Sequence, residues 1–168
     1  MKGVHLVVMG VAGCGKSEAG GRIAGRLRLP LVEGDHFHPQ RNIDKMKVGI
    51  ALDDADRADW LLTLAAELGG MPQGAVLTCS ALKKAYRDTL RRGVPGLRFV
   101  HLAITQAESL RRVGARPGHF YPPSLVASQF EALQDPAGEE GVLVVDGTKG
   151  LDEIACEVAG WIDSTIRN

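Results

Sequence analysis

The sequence has few cysteines, no long apolar run and no excess of either charge, and each absence excludes a class of protein. Its 3 cysteines are odd in number and lack metal-ligand spacing, so we expect free thiols in the reducing cytoplasm rather than a disulfide framework. No apolar run approaches the roughly 20 residues that span a bilayer, and no signal peptide is expected. Lysines and arginines number 20, as do the acidic residues, so we expect neither nucleic acid nor a membrane as a partner.

A glycine-rich run is the most informative feature that the sequence does contain. It fits the pattern G-x-x-x-x-G-K-[ST] and consists of Gly10, Val11, Ala12, Gly13, Cys14, Gly15, Lys16 and Ser17. An apolar segment precedes it and an amphipathic helical pattern follows, as a phosphate-binding loop requires. In such a loop the backbone amides surround phosphate oxygens. We therefore predict a nucleoside triphosphate site in which Lys16 is catalytic and the Ser17 hydroxyl binds Mg²⁺.

Short apolar runs alternate with amphipathic stretches of helical length. The runs are Val4 to Met9, Leu31 to Glu33, Ala75 to Cys79, Leu97 to Leu102 and Val142 to Asp146. Runs that are apolar throughout are typical of strands covered on both faces. The pattern therefore predicts an α/β fold, with a five-stranded parallel sheet and helices on both faces, in which residues 1–168 form a single domain. A final helix is expected from Leu151 to Ile166.

Residues that follow the predicted strands are candidates for chemistry, because ligands of open parallel sheets bind beyond the carboxyl ends of the strands. Asp35 follows the second run, and we predict that it is the catalytic base; the alternative is an N-cap of the next helix. Arg57 is the only cation in the acidic start of a later helix. We predict that Arg57 binds a substrate carboxylate, with an ordinary intrahelical ion pair as the alternative.

Further blocks of sequence are more specific than the glycine-rich loop. The most specific are Gly34-Asp35-His36-Phe37-His38-Pro39, Cys79-Ser80-Ala81-Leu82-Lys83 and Gly118-His119-Phe120. Together with the loop they resemble the gluconokinase family over nearly the whole chain. The resemblance implies a P-loop NTPase fold, related to shikimate and nucleoside-monophosphate kinases, that transfers the γ-phosphate of ATP to the 6-hydroxyl of D-gluconate. It also implies a homodimer.

The resemblance adds an acceptor-binding region at about residues 35–66 and a lid at about residues 112–124. The lid carries Arg112 and Arg116, which would share one helical face if the helix continues that far, and both are expected to contact ATP, with Arg116 catalytic. The alternative is a solvated helix end, where cations are favoured. The residues expected to bind gluconate are Asp35, His38, Arg57, Lys83, His119 and Gln129. His36 stands where the family often has a second aspartate, so Asp35 is expected to act without that neighbour.

Two alternatives remain open at this stage. One is a shikimate-kinase-like enzyme with another small acceptor, although the Gly-His-Phe and Cys-Ser-Ala-Leu-Lys blocks argue against it. The other is a binding module in which ATP drives a conformational change and nothing is phosphorylated. The contact to the adenine base is also open, because Asp146-Gly147-Thr148-Lys149 is either a base-binding loop or a turn into the last helix.

Overall fold

Five parallel strands form the central sheet of the protein, in a computed structural model that describes residues 3–116 and 122–167. The strands are β1 (Val4–Met9), β2 (Leu31–Glu33), β3 (Gly74–Thr78), β4 (Arg98–Ala103) and β5 (Val142–Asp146). Their order across the sheet is β2-β3-β1-β4-β5, and every neighbouring pair is parallel. The predicted five-stranded parallel sheet is confirmed.

Two strands begin one residue away from their predicted starts. β3 begins at Gly74, which pairs with Val4 and has a φ of 99°, a left-handed value that favours glycine. β4 begins and ends one residue later than expected. The apolar pattern marks where side chains are buried, whereas the hydrogen-bond ladder sets where a strand begins, so a shift of this size is normal.

Helices cover both faces of the sheet, as predicted. The described residues include α1 (Lys16–Leu27), α2 (Gln40–Lys47), α3 (Asp54–Gly69), α4 (Lys84–Gly93), α5 (Gln106–Gly114), α6 (Val126–Ala132) and α7 (Leu151–Ile166), with short 3-10 turns at Gly34–Phe37 and Pro123–Leu125. Helices α3 and α4 pack on one face, and α1 and α7 pack on the other. Alternate residues of the central strand β1 are buried against opposite faces, which explains why the whole strand is apolar.

Helix α3 fixes the segment that follows β2. Asp53 and Asp56 form a capping box at its start, so two of the acidic residues there have a structural role. One turn later, Trp60 Nε1 donates a hydrogen bond to Gly34 O at 2.8 Å. Trp60 is almost fully buried, so this bond holds the 3-10 turn that contains Asp35 against the body of the protein.

A fully buried arginine fixes the loop that follows β3. Arg87 donates to Ala81 O at 2.8 Å and to Leu82 O at 3.0 Å, and it pairs with Glu139 at 2.6 Å. Ala81 has a φ of 45°, a left-handed conformation that costs energy for a residue with a side chain. The Arg87 bonds stabilise this conformation and so position Ser80 beside the phosphate-binding loop, where its carbonyl accepts a hydrogen bond from Gly10 N–H.

No helix in the described part of the chain is both long and apolar enough to cross a bilayer.

Candidate active site

The glycine-rich loop connects β1 to α1 and curls around the first turn of that helix. Gly13 and Gly15 have φ values of 75° and 91°, so the curl requires residues without a Cβ. The Lys16 ammonium donates to Gly10 O at 3.0 Å and to Val11 O at 3.1 Å. The cation therefore lies against the carbonyls of its own loop, at the N-terminus of a 12-residue helix where anions are favoured.

A carboxylate beside Ser17 escaped the sequence-based prediction. Ser17 Oγ donates to Glu33 Oε2 at 3.0 Å, and Thr78 Oγ1 donates to the same oxygen at 2.6 Å. Glu33 is the last residue of β2, so the rule that selects residues after a strand begins one residue too late to include it. The site therefore has a carboxylate beside Ser17 in addition to that of Asp35.

Asp35 lies in the exposed 3-10 turn after β2 and caps no helix. Its side chain is 65% exposed, and 3.9 Å separates its Oδ1 from Nε2 of His38. Helix α2 begins at Gln40. Its N-cap residue is Pro39, and no side chain caps the helix with a hydrogen bond. The capping alternative is therefore wrong, and the carboxylate is free to accept a hydrogen bond from a ligand.

His38 is buried and held in one tautomer. Its ring stacks on Trp60 with 4.0 Å between centroids. Asn42 Nδ2 donates to Asp56 O and also lies 3.3 Å from His38 Nδ1. The NH₂ group at Asn42 Nδ2 can only donate, so His38 Nδ1 accepts. The proton of the neutral ring is therefore on Nε2, on the side of Asp35. Burial is the main cause that lowers the pKa of His38 to about 4; the nearby Asp35 carboxylate opposes this shift and the Arg57 charge adds to it.

The low pKa of His38 predicts a loss of stability in mild acid. The pKa is about 4 in the folded protein against an ordinary value of 6.5, so the unfolded chain binds more protons between these values. We expect the free energy of unfolding to decrease as the pH falls from 6.5 to 4, with His38 contributing up to about 1 kcal/mol per pH unit. Urea titrations at several pH values would measure this slope. His38→Gln should flatten it, and His36→Gln, at an exposed neighbour, should not; equal slopes in all three proteins would contradict the assignment.

Arg57 lies at the back of the cleft as a cation without a carboxylate. Only 9% of the residue is exposed, and its guanidinium lies 5.5 Å from the centre of the Tyr86 ring. Among the described residues it has neither an ion pair nor a hydrogen bond, so the predicted alternative of an intrahelical pair is wrong. A buried cation without a partner is unfavourable unless a ligand supplies the opposite charge.

Lys83 differs from Arg57 because it already has a partner. Its Nζ donates to Asp54 at 2.9 Å, and Tyr86 Oη donates to the same carboxylate. These two bonds lower the pKa of Asp54, and the bond to Asp54 raises that of Lys83. The structure therefore gives Lys83 a role in fixing the wall of the cleft, whereas Arg57 remains available.

The structure brings most of the predicted site residues to one cavity of about 100 Å³. Its lining includes Lys16, Ser17, Asp35, His38, Arg57, Arg116 and Gln129. Lys83 lines a smaller neighbouring cavity of about 70 Å³ that shares Arg57 and Gln129 with the first. His119 lies outside the described residues, as does the rest of residues 117–121 of the predicted lid.

A larger cavity of about 420 Å³ lies on the other side of the loop, between α5 and the start of α7. Arg112 lines it and donates to Gly13 O at 3.2 Å and Gly147 O at 3.1 Å. Arg116 also lines it; α5 ends at Gly114, so the helix does not continue far enough for the two arginines to share a helical face. Residue 117 is a proline, which disfavours helix in the residue before it.

A cavity of about 530 Å³ lies at the opposite edge of the sheet, where residues such as Leu97 and Gly141 precede β4 and β5. Its lining contains no residue of the phosphate loop and none of the predicted site residues. Its size therefore does not make it the active site.

The sheet order, the loop at the end of β1 and the cleft beside it define a P-loop kinase fold. A shikimate kinase from Acinetobacter baumannii shares this fold at 17% identity, with a TM-score of 0.67 over 97% of this chain and 94% of that chain. Comparison with protein-family profiles gave no match. A gluconokinase from Gluconobacter oxydans is 42% identical over 161 residues, which are 94% of this chain and 90% of that protein. The crystal structure of a gluconokinase from Sinorhizobium meliloti is 44% identical, with a TM-score of 0.86 over 94% of this chain and 90% of that chain. The chain belongs to the gluconokinase family.

Proposed function

We propose that the protein transfers the γ-phosphoryl group of ATP to the 6-hydroxyl of D-gluconate, giving 6-phospho-D-gluconate and ADP. Family membership supports both substrates. The structural observation that carries the proposal is that Arg57, a residue only 9% exposed, has no acidic partner among the described residues and lines the same cavity as Lys16 and Asp35. The carboxylate of gluconate would give Arg57 its missing partner, in a bidentate contact that lysine cannot make.

The nucleotide would lie along the phosphate loop, with its base in the larger cavity. Lys16 would exchange its bonds to Gly10 O and Val11 O for bonds to the terminal phosphates, because a phosphate carries more negative charge than a carbonyl. Arg112 lies between the loop and Gly147 and is suited to contact the nucleotide. The segment after β5 would then contact the base, which favours the first of the two interpretations of that segment.

The oxygen atoms around Ser17 fit Mg²⁺. The Ser17 hydroxyl and the Glu33 carboxylate are hard oxygen donors, and they are 3.0 Å apart. No cluster of three acidic, histidine or cysteine residues suited to a metal occurs in the described part of the chain, as expected for an ion held mainly by phosphates and water. Ser17 would hold the ion, with Glu33 binding one of its waters, and the ion would neutralise phosphate charge.

The cleft residues provide what an in-line transfer requires. Asp35 would accept the proton of the 6-hydroxyl as that oxygen bonds to the γ-phosphorus and the bond to the β-phosphate oxygen breaks. The neutral His38 would donate from Nε2 to a substrate oxygen, and Gln129 and Lys83 would contact other hydroxyls. Lys16 and Arg116 would stabilise the charge on the transferred group.

The domain organisation also belongs to this proposal. We propose that residues 35–66 bind the acceptor, since Asp35, His38 and Arg57 line one cavity, and that residues 112–124 with His119 close over the substrates. We also propose that the protein is cytoplasmic. Its free cysteines Cys14, Cys79 and Cys156 support this location, because thiols stay reduced in the cytoplasm. A homodimer is an expectation from the family alone.

An ADP-release assay with a panel of acceptors tests the proposed function. The protein, ATP and Mg²⁺ would be supplied with D-gluconate, shikimate, glucose or no acceptor. ADP formation that depends on gluconate supports the proposal. Turnover with another acceptor would show that the protein is a kinase but that gluconate is not its substrate. Nucleotide binding without turnover would support a binding module.

Substitution of Arg57 tests how the acceptor is recognised. We expect Arg57→Ala to raise the KM for gluconate by about 10- to 100-fold, the effect of losing hydrogen bonds to a charged group, and to change the KM for ATP much less. Steady-state kinetics with each substrate varied in turn would measure both constants. Arg57→Lys keeps the positive charge but cannot form two parallel hydrogen bonds to a carboxylate. Its KM for gluconate should lie between those of the original protein and Arg57→Ala. An equal rise in both KM values would remove Arg57 from the acceptor site.

A further inference from the structure

Side chains from outside the phosphate loop hold its first half. Ser109 Oγ, on α5, donates to Ala12 O at 2.6 Å. Gln129 Oε1, on α6, accepts from Ala12 N–H at 2.7 Å. Ser109 is fully buried and Gln129 nearly so. Both neighbouring peptide groups of Ala12 are therefore fixed by helices that are distant in sequence from the loop.

The Ser109 bond sets the direction of the next amide. In a trans peptide the C=O and the N–H point to opposite sides, and the described residues contain no cis peptide. Because Ala12 O points towards Ser109, Gly13 N–H points away from α5. No described residue accepts a hydrogen bond from Gly13 N–H. Ser109 thus presents an unpaired loop amide, which is the group that binds phosphate oxygens.

The Gln129 bond acts in the same way on the preceding peptide. Ala12 N–H can only donate, so the atom of Gln129 that meets it is the carbonyl oxygen. Val11 O then points to the opposite side, where it accepts from Lys16 Nζ at 3.1 Å and from Cys14 N–H at 3.2 Å. Gln129 thereby orients the carbonyl that holds the Lys16 ammonium.

We propose that Ser109 is a positioning residue for phosphoryl transfer, which orients the Gly13 amide towards a phosphate oxygen of the nucleotide, and that Gln129 supports this arrangement by fixing the preceding peptide of the loop, between Val11 and Ala12. Helix α5 is close enough for this role, since a Cβ on Gly13 would lie 3.2 Å from Ser109 O. The inference rests on the proposed function for its nucleotide, and does not depend on the identity of the acceptor.

The first test is Ser109→Ala, which removes the donor and leaves every ligand-facing side chain in place. We expect the KM for ATP, and the Kd for ADP with Mg²⁺ measured by calorimetry, to rise about five- to tenfold, the usual effect of one hydrogen bond. The KM for gluconate should change less than about twofold. A merely structural serine would lower the Tm without separating the two KM values.

Matched variants separate positioning from a general loss of helix stability. Thr105 caps the same helix, since its Oγ1 accepts from Glu108 N–H at 3.2 Å, and it makes no hydrogen bond to the described loop residues. Thr105→Ala should therefore weaken α5 without changing ADP affinity. Ser109→Thr keeps the donor and should restore ADP binding. If Ser109→Ala does not fold, Gln129→Met provides the second test and should weaken ADP binding to a similar extent.

Either of two results would overturn the inference. One is an ADP affinity within about twofold of the original in both the Ser109 and Gln129 variants. The other is a loss of ADP affinity in Thr105→Ala equal to that in Ser109→Ala. The ADP affinities give this answer even if gluconate proves not to be the acceptor. Failure of the proposed function is read separately, from the acceptor panel with the unaltered protein.

Discussion

Lys16→Ala is expected to reduce kcat for gluconate phosphorylation on the order of 1,000-fold while the fold remains intact. Within the described part of the chain, the hydrogen-bond partners of the ammonium are two carbonyl oxygens and the sulfur atom of its own loop. Lys16 begins α1, and this helix is stabilised by its packing on the sheet. Removal of the ammonium therefore leaves the core unchanged. What is lost is a mobile positive charge in a cleft, where it balances negative charge that develops on the transferred phosphoryl group.

A coupled assay of ADP release, with circular dichroism to monitor the fold, would check this prediction. Lys84→Ala is a suitable control, because that lysine is 60% exposed, pairs with Asp88 on α4 and lies outside the cleft. The control should retain full activity. Near-normal turnover in the Lys16 variant would show that the loop does not bind the phosphates that react.

The fold was predictable because its core depends on a repeated local signal. Each strand of a parallel sheet is buried on both faces, so runs such as Val4–Met9 and Val142–Asp146 are visible in the sequence without any knowledge of their neighbours. The last helix is also confirmed, from Leu151 to Ile166, because Ile154, Val158 and Ile162 recur with helical spacing and are buried. Ladder starts and helix ends depend on single bonds, which explains the small errors in β3 and β4 and the early end of α5.

The site was predictable only where the local sequence around a residue indicates its role. A loop pattern, a residue after a strand and a single cation among acidic residues are such signals; they selected Lys16, Asp35 and Arg57, and all three line one cavity. Contacts that depend on tertiary packing carry no signal of this kind. In the sequence, Ser109 cannot be distinguished from any other serine in a helix. Its hydrogen bond to Ala12 forms only because α5 packs against the loop.

Asp35→Asn is expected to reduce kcat by about 100- to 10,000-fold, the usual contribution of a general base, and to alter stability and both KM values little. The site contains two carboxylates, and their bonding distinguishes them. Glu33 already accepts hydrogen bonds from Ser17 and Thr78, whereas Asp35 accepts none from the described side chains and lies 3.9 Å from Nε2 of the neutral His38. A carboxylate without such bonds is the better proton acceptor, and asparagine has the same shape but cannot take up a proton.

Kinetics of Asp35→Asn beside Glu33→Gln would decide between the two carboxylates. The Glu33 variant should change the dependence of the rate on Mg²⁺ concentration, whereas the Asp35 variant should lower kcat at every Mg²⁺ concentration. Asp152→Asn provides a control, since Asp152 is 82% exposed and pairs with Arg22 on the surface. If Asp35→Asn keeps its kcat within about threefold and Glu33→Gln is inactive even at saturating Mg²⁺, the base is Glu33, and Asp35 serves only to bind the acceptor.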